Sequence, residues 1–283
     1  MKKIVLFIGL CCLVSCTNYG QLEVTAHLPK KLEEVSGIQY SEKEQAFWML
    51  NDSGNKPHVF LVSEKGKILR KLKIAAKNID WEDITKDDEG NIYVGDFGNN
   101  GNHRKDLTIL KVNSSDLTSG KKIEVTKIQY YYPEQKKFPP KKKKMYYDTE
   151  AFFAWNGYFY IFTKSRVKGE IGRTFLYRVP NQSGNHEATR ISEFTTCPKQ
   201  GCWITGADIT KDGKKVVLLN HTSAWVFTNF KGDDFFSGNS KKYSFGHDSQ
   251  KESITFKNTS TIYVTDEENR HGGRNLYKFS LSK

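Results

Sequence analysis

Residues 80–100 read DWEDITKDDEGNIYVGDFGNN. A carboxylate cluster (Asp80, Glu82, Asp83) opens a short alternating run, Glu89-Gly90 marks a turn, a second run covers 92–95, and a second polar cluster (Asp96, Asn99, Asn100) follows. Two short runs joined by a glycine turn predict a β-hairpin. Antiparallel pairing brings the start of the first run and the end of the second together, so the two polar clusters share one end of the unit. Asp87, Asp88 and Glu89 then fall at the opposite end, as turn residues.

The same pattern extends along the chain. Past the first twenty residues, apolar positions fall in short, often alternating runs rich in Val, Ile, Phe, Tyr and Thr, separated by Gly, Asn, Asp and Ser. No long amphipathic helix interrupts them, which is an all-β signature. Predicted strands group as 37–40, 46–50, 59–62 and 68–74; 82–85, 92–95, 107–112 and 123–131; 150–154, 158–163, 174–179 and 188–194; 207–210, 215–220, 224–228 and 242–245; and 254–257, 261–265 and 275–281. The fifth group lacks one strand, and residues 22–28, ahead of the first group, can supply it. A four-stranded sheet repeated five times and closed by pairing the chain's beginning with its end describes a five-bladed β-propeller. Six blades are the alternative if 116–147 conceals a further sheet. A β-sandwich gives no reason for repeated polar-ended hairpins.

Aligning the units locates a site. With Ile38, Ile84, Phe152, Ile209 and Ile254 in one column, the residues four positions earlier are Glu34, Asp80, Asp148, Thr205 and Gln250. Two positions earlier stand Ser36, Glu82, Glu150, Ala207 and Glu252, and the ends of the second strands read Asp52, Asp96, Lys164, His221 and Asp266. In a propeller these positions form concentric polar rings around one funnel. Gathered carboxylates need a cation or hydrogen bonds to compensate them. Calcium takes about six to eight oxygen ligands in tolerant geometry, which makes Glu34, Glu82, Asp148, Glu150 and Glu252 candidate metal ligands. Asp52, Asp80, Asp96, Lys164 and Asp266 are candidate funnel residues for ligand binding. The competing reading has these acids capping loops or pairing with Lys164, Arg166, Arg270 and Arg274. His221, the histidine of the rings, is the candidate general acid or base. No G-x-S-x-G, H-E-x-x-H or Gly-rich Lys-Ser/Thr motif is present, and the glycine-rich 95–101 stretch reads as a turn.

The beginning of the chain reads as a signal peptide over 1–15: Lys2 and Lys3, an apolar core at 4–14, and a small Ser15. That core is too short to span a bilayer. Leu13-Val14-Ser15-Cys16 resembles the bacterial lipobox, which implies lipidation of Cys16, a linker over 16–21 and one propeller domain over 22–283. Ordinary secretion is the alternative. The expected location is the cell envelope, lipid-anchored and facing the periplasm or the cell surface, as a monomer. With Cys11 and Cys12 removed, Cys197 and Cys202 remain, and C-P-K-Q-G-C predicts a disulfide in an exported chain. Two thiols alone make a poor zinc site. The formal charge is +12, of which Lys136, Lys137 and Lys141 to Lys144, flanking Phe138-Pro139-Pro140, supply a local excess. This stretch is either a solvated loop or a contact for acidic headgroups, glycans or a partner. Nucleic acid is disfavoured, since no recognition-helix pattern accompanies the charge.

Glu34-Val-Ser-Gly-Ile38, the Asn51-Asp52 strand end, Lys65-Gly66-Lys67-Ile68 and Asp80-Trp-Glu-Asp-Ile84, in this order, resemble the SdiA-regulated and phytase-like propeller families, with their E-x-S-G-I and D-x-E-G-I elements. These families sit near the lactonase and NHL propellers. The likeness covers 32–100, with Asp148-Thr-Glu150 as a later echo, and Asp83 stands where the second element carries Gly. It implies a propeller with polar, calcium-binding residues at its centre. Three functions fit. The first is an envelope lipoprotein whose funnel binds a small molecule, glycan or envelope protein with calcium. The second is a metal-dependent hydrolase of a lactone, ester or phosphoester using His221 or a ring carboxylate as base. The third is a non-catalytic assembly scaffold.

Overall fold

The computed structural model describes residues 18–120, 122–270 and 272–282. The expected signal peptide and Cys16 lie outside them. After β1 (Glu23–His27), the first blade comprises β2 (Val35–Ser41), β3 (Ala46–Asn51), β4 (His58–Val62) and β5 (Ile68–Lys73). The second holds β6 (Trp81–Lys86), β7 (Ile92–Asp96), β8 (Thr108–Val112) and β9 (Thr126–Tyr131). The third runs β10 (Asp148–Trp155), β11 (Tyr158–Lys164), β12 (Arg173–Pro180), then a detour through β13 (Gly184–Glu187) before β14 (Thr189–Thr195). The fourth is β15 (Gly206–Ile209), β16 (Lys215–Asn220), β17 (Ser223–Thr228) and β18 (Asn239–Ser244), and the fifth β19 (Lys251–Asn258), β20 (Thr261–Asp266) and β21 (Asn275–Ser280).

Each blade is an antiparallel meander, and the innermost strands β2, β6, β10, β15 and β19 contact one another in a closed ring. The protein is a five-bladed β-propeller. β1 pairs with β21, Glu23 opposite Lys278 and His27 opposite Asn275, so the N-terminal strand completes the fifth blade. Among the described residues of 116–147 there is no sixth sheet; they contribute β9, the end of a 3₁₀ turn at Ser114–Asp116 and another at Lys142–Lys144. The unexpected element is β13, which leaves the third blade and pairs in parallel with β9, Gly184 opposite Ile128. Its sequence, Gly-Asn-His-Glu, carries no apolar residue, so periodicity offers no signal for it.

Each interface between neighbouring blades buries its own apolar cluster. Trp48, Leu61, Trp81 and Val94 lie between the first and second blades, and Tyr93, Phe97, Phe152, Phe159 and Tyr177 between the second and third. Phe153, Phe162, Leu218 and Phe227 fill the next interface. Fully burying one such side chain contributes roughly 1.5–3 kcal/mol. Polar staples join the inner strands. The buried Asp83 carboxylate accepts the amide N–H of Ile84 (2.8 Å) and that of Phe152 in the next blade (3.2 Å). Asp208 does the same towards the fifth blade, accepting Phe256 N–H at 2.8 Å and the Thr255 hydroxyl at 2.9 Å. Burial pushes Asp208 up to about 6, and Asp83 well above the usual carboxylate range.

A repeated irregularity sets up the funnel. In β2, β6, β10 and β19 the register slips at the same place, between Val35 and Gly37, Trp81 and Asp83, Thr149 and Ala151, and Lys251 and Ser253. The residues passed over are Ser36, Glu82, Glu150 and Glu252. A β-bulge leaves its extra residue out of the ladder and re-aims the side chain.

Candidate functional site

The bulges place Glu82, Glu150 and Glu252 around one end of the axis, where their carboxylates interact with one another. Asp52, Asp80 and Asp148 join them. Asp96 and Asp266, expected in the same ring, do not. Asp148 lies opposite Lys164, and Asp52 N–H donates to Glu34 O, but Asp96 lies opposite Trp81 and Asp266 opposite Lys251, one residue earlier in the ladder. Because side chains alternate along a strand, one residue of offset turns a side chain to the other face. Both are framework residues. Asp96 accepts the Asp80 N–H at 3.1 Å and an Arg104 N–H at 3.0 Å, whereas Asp266 accepts Asn275 N–H at 2.8 Å and the Tyr277 hydroxyl at 2.6 Å.

The true ring members at this level are Gly98 and Glu267, whose N–H groups donate to Asp80 O and Gln250 O as Asp52 does to Glu34 O. Gly98 allows a close approach: a Cβ there would stand 2.5 Å from Asp80 Oδ2 and closer still to Glu82 Oε1. The column alignment missed both, because hairpin register differs from blade to blade: Ile38 pairs with Met49, Ile84 with Val94, Phe152 with Ile161 and Ile254 with Val264.

The charge in the funnel is unevenly compensated. On the third blade, Arg166 donates to Asp148 Oδ2 (2.6 Å) and Glu150 Oε1 (3.2 Å), and the buried Lys164 ammonium hydrogen-bonds Glu150 Oε2. Burial opposes the charge on Lys164, yet Glu150 and Glu252 hold its pKa above the ordinary lysine value. Burial still drives Glu150 up to about 8 despite Lys164. On the first and second blades, Asp52, Asp80 and Glu82 can each place an oxygen within 4.8 Å of the others'. Burial, with Asp80 and Glu252 nearby, raises Asp52 to about 6; burial, then Glu150 and Asp52, raise Glu82 well above its usual range. Glu267, half-buried and close to Glu252 and Asp52, is raised by desolvation and those charges to about 9.

The donors of this triad are all oxygens, and the cradle next to them opens only because Gly98 lacks a side chain, so the residues fit a hard cation such as calcium. The expected ligand set is therefore redistributed. Glu82 meets Asp52 and Asp80. Asp148 and Glu150 are occupied by Arg166 and Lys164, Glu34 is exposed at the rim and takes a hydrogen bond from Asn55, and Glu252 faces His221.

His221 Nε2 lies 3.6 Å from Glu252 Oε1, outside hydrogen-bond reach, and is buried without a partner. Burial opposes ionisation of Glu252, but Lys164 and His221 hold it below its usual range. The loop 196–203 frames this side. Cys197 and Cys202 form a disulfide, with Cα atoms 5.6 Å apart. Gly201 O accepts the His221 N–H at 3.1 Å. Trp203, anchored through Nε1 to Ser165 O (3.1 Å), carries the Lys164 ammonium 5.7 Å from its ring centroid and stands edge-on to His221. The lysines at 141–144 are exposed.

Fold and site together define a five-bladed propeller with a buried acidic funnel, bridged on one side by Lys164 and Arg166. No family model matches the chain, and no curated protein matches it. Among solved structures it is similar to a catalytically inactive virginiamycin B lyase from Staphylococcus aureus with quinupristin, at 14% identity and TM-score 0.42 over 90% of this chain and 68% of that one. It is also similar to a chain of a nidogen/laminin complex, at 11% identity and TM-score 0.43 over 82% and 72% of the two chains. A third is the Kuenenia stuttgartiensis hydrazine synthase, at 14% identity and TM-score 0.42 over 85% and 57%. Likenesses this distant carry no argument about the site, and the blade count rests on the strand order itself.

Proposed function

We propose that the funnel is a ligand-binding site completed by calcium on Asp52, Asp80 and Glu82, in an envelope lipoprotein anchored through Cys16 and related to the SdiA-regulated and phytase-like propellers. The observation that carries this reading is the polarised funnel: Asp148 and Glu150 have basic partners, whereas Asp52, Asp80 and Glu82 converge without one in their immediate cluster. A divalent cation there would supply the missing positive charge and leave coordination positions for a ligand oxygen. Lys164, Trp203 and His221 line the opposite side, where a small molecule, a glycan or an exposed segment of an envelope protein would find a cation, an aromatic edge and a hydrogen-bonding ring.

Calcium should stabilise the metal-stripped protein. At about a hundredfold excess over its dissociation constant, a one-site ligand adds about 2.7 kcal/mol, or roughly 5–10 °C in Tm for a domain of this size. Glu82→Gln and Gly98→Ala should each abolish the shift, the second by displacing the Asp80 and Glu82 carboxylates. An unchanged Tm in wild-type protein would sink the metal site.

The pairing of Glu252 with His221 favours a second reading, a metal-dependent hydrolase of a lactone, ester or phosphoester. A bound cation would polarise the substrate oxygen. His221, with Nε2 unclaimed and Glu252 beside it, would take the proton from the attacking water. Turnover on a panel of such substrates, lost in His221→Ala, would establish this reading, and its absence would leave binding alone.

A further inference from the structure

A second cavity lies outside the funnel, at the corner where β9 runs into the lysine-rich loop. It encloses about 310 Å³ and is lined by Lys105, Tyr130, Tyr131, Pro133, Lys136 and Phe138, with Asn185 of β13 among the other wall residues. That size is at the lower end of small-molecule sites. Tyr131 is one of the few large apolar side chains left exposed, at 43%. Lys105 Nζ sits 5.1 Å from the Phe138 ring centroid. Neither Lys105 nor Lys136 takes part in an ion pair among the described residues, and no carboxylate lines the cavity. Of the acids nearest in sequence, Glu134 is engaged away from the cavity, with the Tyr177 hydroxyl, whereas Asp106 and Glu187 are paired with wall residues, Arg104 and the Tyr131 hydroxyl.

We propose that this cavity binds a carboxylate carried on a six-membered ring, with the carboxylate between Lys105 and Lys136 and the ring against Tyr131 and Phe138. Two lysines without anionic partners provide charge-assisted hydrogen bonds to an acid group. The aromatic walls offer flat surfaces to a ring face, and the Asn185 amide offers a polar contact to ring substituents. The exposed lysines at 141–144 raise the local concentration of such anions. A sugar acid and an aryl carboxylate share this chemistry. β13 has a role here, since its pairing with β9 brings Asn185 to the wall.

The intact protein should be titrated calorimetrically with glucuronate, benzoate, glucose and inorganic phosphate. Saturable binding of glucuronate or benzoate is expected, weakened roughly tenfold or more by Lys105→Ala or Lys136→Ala and also weakened by Tyr131→Ala, with Lys143→Ala as the exposed control that leaves it unchanged. Glucuronate alone binding identifies a sugar acid, and benzoate alone an aryl acid. Glucose binding as well as glucuronate, phosphate binding as well as either carboxylate, affinity unaffected by the lysine changes, or no binding at all would each overturn the proposal.

Discussion

Glu267 shows how strongly the funnel acts on single groups. Burial and the carboxylates of Glu252 and Asp52 raise its pKa from the ordinary 4.5 to about 9. The folded state thus keeps a proton that the unfolded chain releases near pH 4.5. The stability conferred by that proton is complete below this pH and is lost as pH rises through 9. Glu267→Gln preserves the shape and removes the titration. In metal-free protein, the urea midpoint of the variant should therefore fall less between pH 5 and 9 than that of wild type, and parallel profiles would refute the assignment. Lys164 tests the compensated side. Its ammonium and Glu150 are buried together, and removing one partner of a buried pair costs about 3–5 kcal/mol. Lys164→Met should lose stability on that scale in denaturant unfolding, and adding Glu150→Gln should restore much of it; additive losses would argue against coupling.

At the scale of strands and blades, the staples between inner strands matter more than their number suggests. Asp83→Ala would orphan the Phe152 N–H inside the second-to-third blade interface, at a cost of about 1–3 kcal/mol. Chemical denaturation would register it, and a change below about 0.5 kcal/mol would show that water or a neighbour replaces the carboxylate. The strands themselves were legible in the sequence: β16 spans 215–220 as expected, and most others end within two residues of their expected limits. Apolar alternation is a local property, and so is the turn chemistry of Glu89-Gly90 and Asp212-Gly213. Whether Asp96 or Gly98 faces the funnel is not local. That choice depends on the hairpin register, which differs between blades, Ile38 pairing with Met49 but Ile84 with Val94, one residue nearer along the chain, without any change in the apolar pattern. Glu267 escaped notice for the same reason, hidden behind an equally acidic Asp266. Asp83 stood out as one of the carboxylate cluster and as a departure from the Gly of the resembling families, and its part in joining two blades emerges only with the third blade in place.

At the scale of the whole molecule, charge is segregated. A chain with a formal charge of +12 concentrates carboxylates at the axis and lysines on an outer loop. The ring is held shut at one seam, where β1 completes the fifth blade. A variant lacking residues through Leu28 should expose the edge of β21 and the otherwise buried Tyr277, and should unfold at lower denaturant than the intact chain or lose its cooperative transition. An unchanged transition would mean that three strands suffice. The seam also imposes an order of events in folding. Thr25 bonds to Leu276 across 251 positions, so bringing these ends together costs about 5 kcal/mol of loop-closure entropy in an otherwise unstructured chain. Four blades can form from local pairings while β1 waits for a partner near the other end of the chain. During that interval the unfinished fifth blade presents an open strand edge that the β1 segment of another molecule fits equally well, so crowded refolding favours swapped dimers over closed monomers.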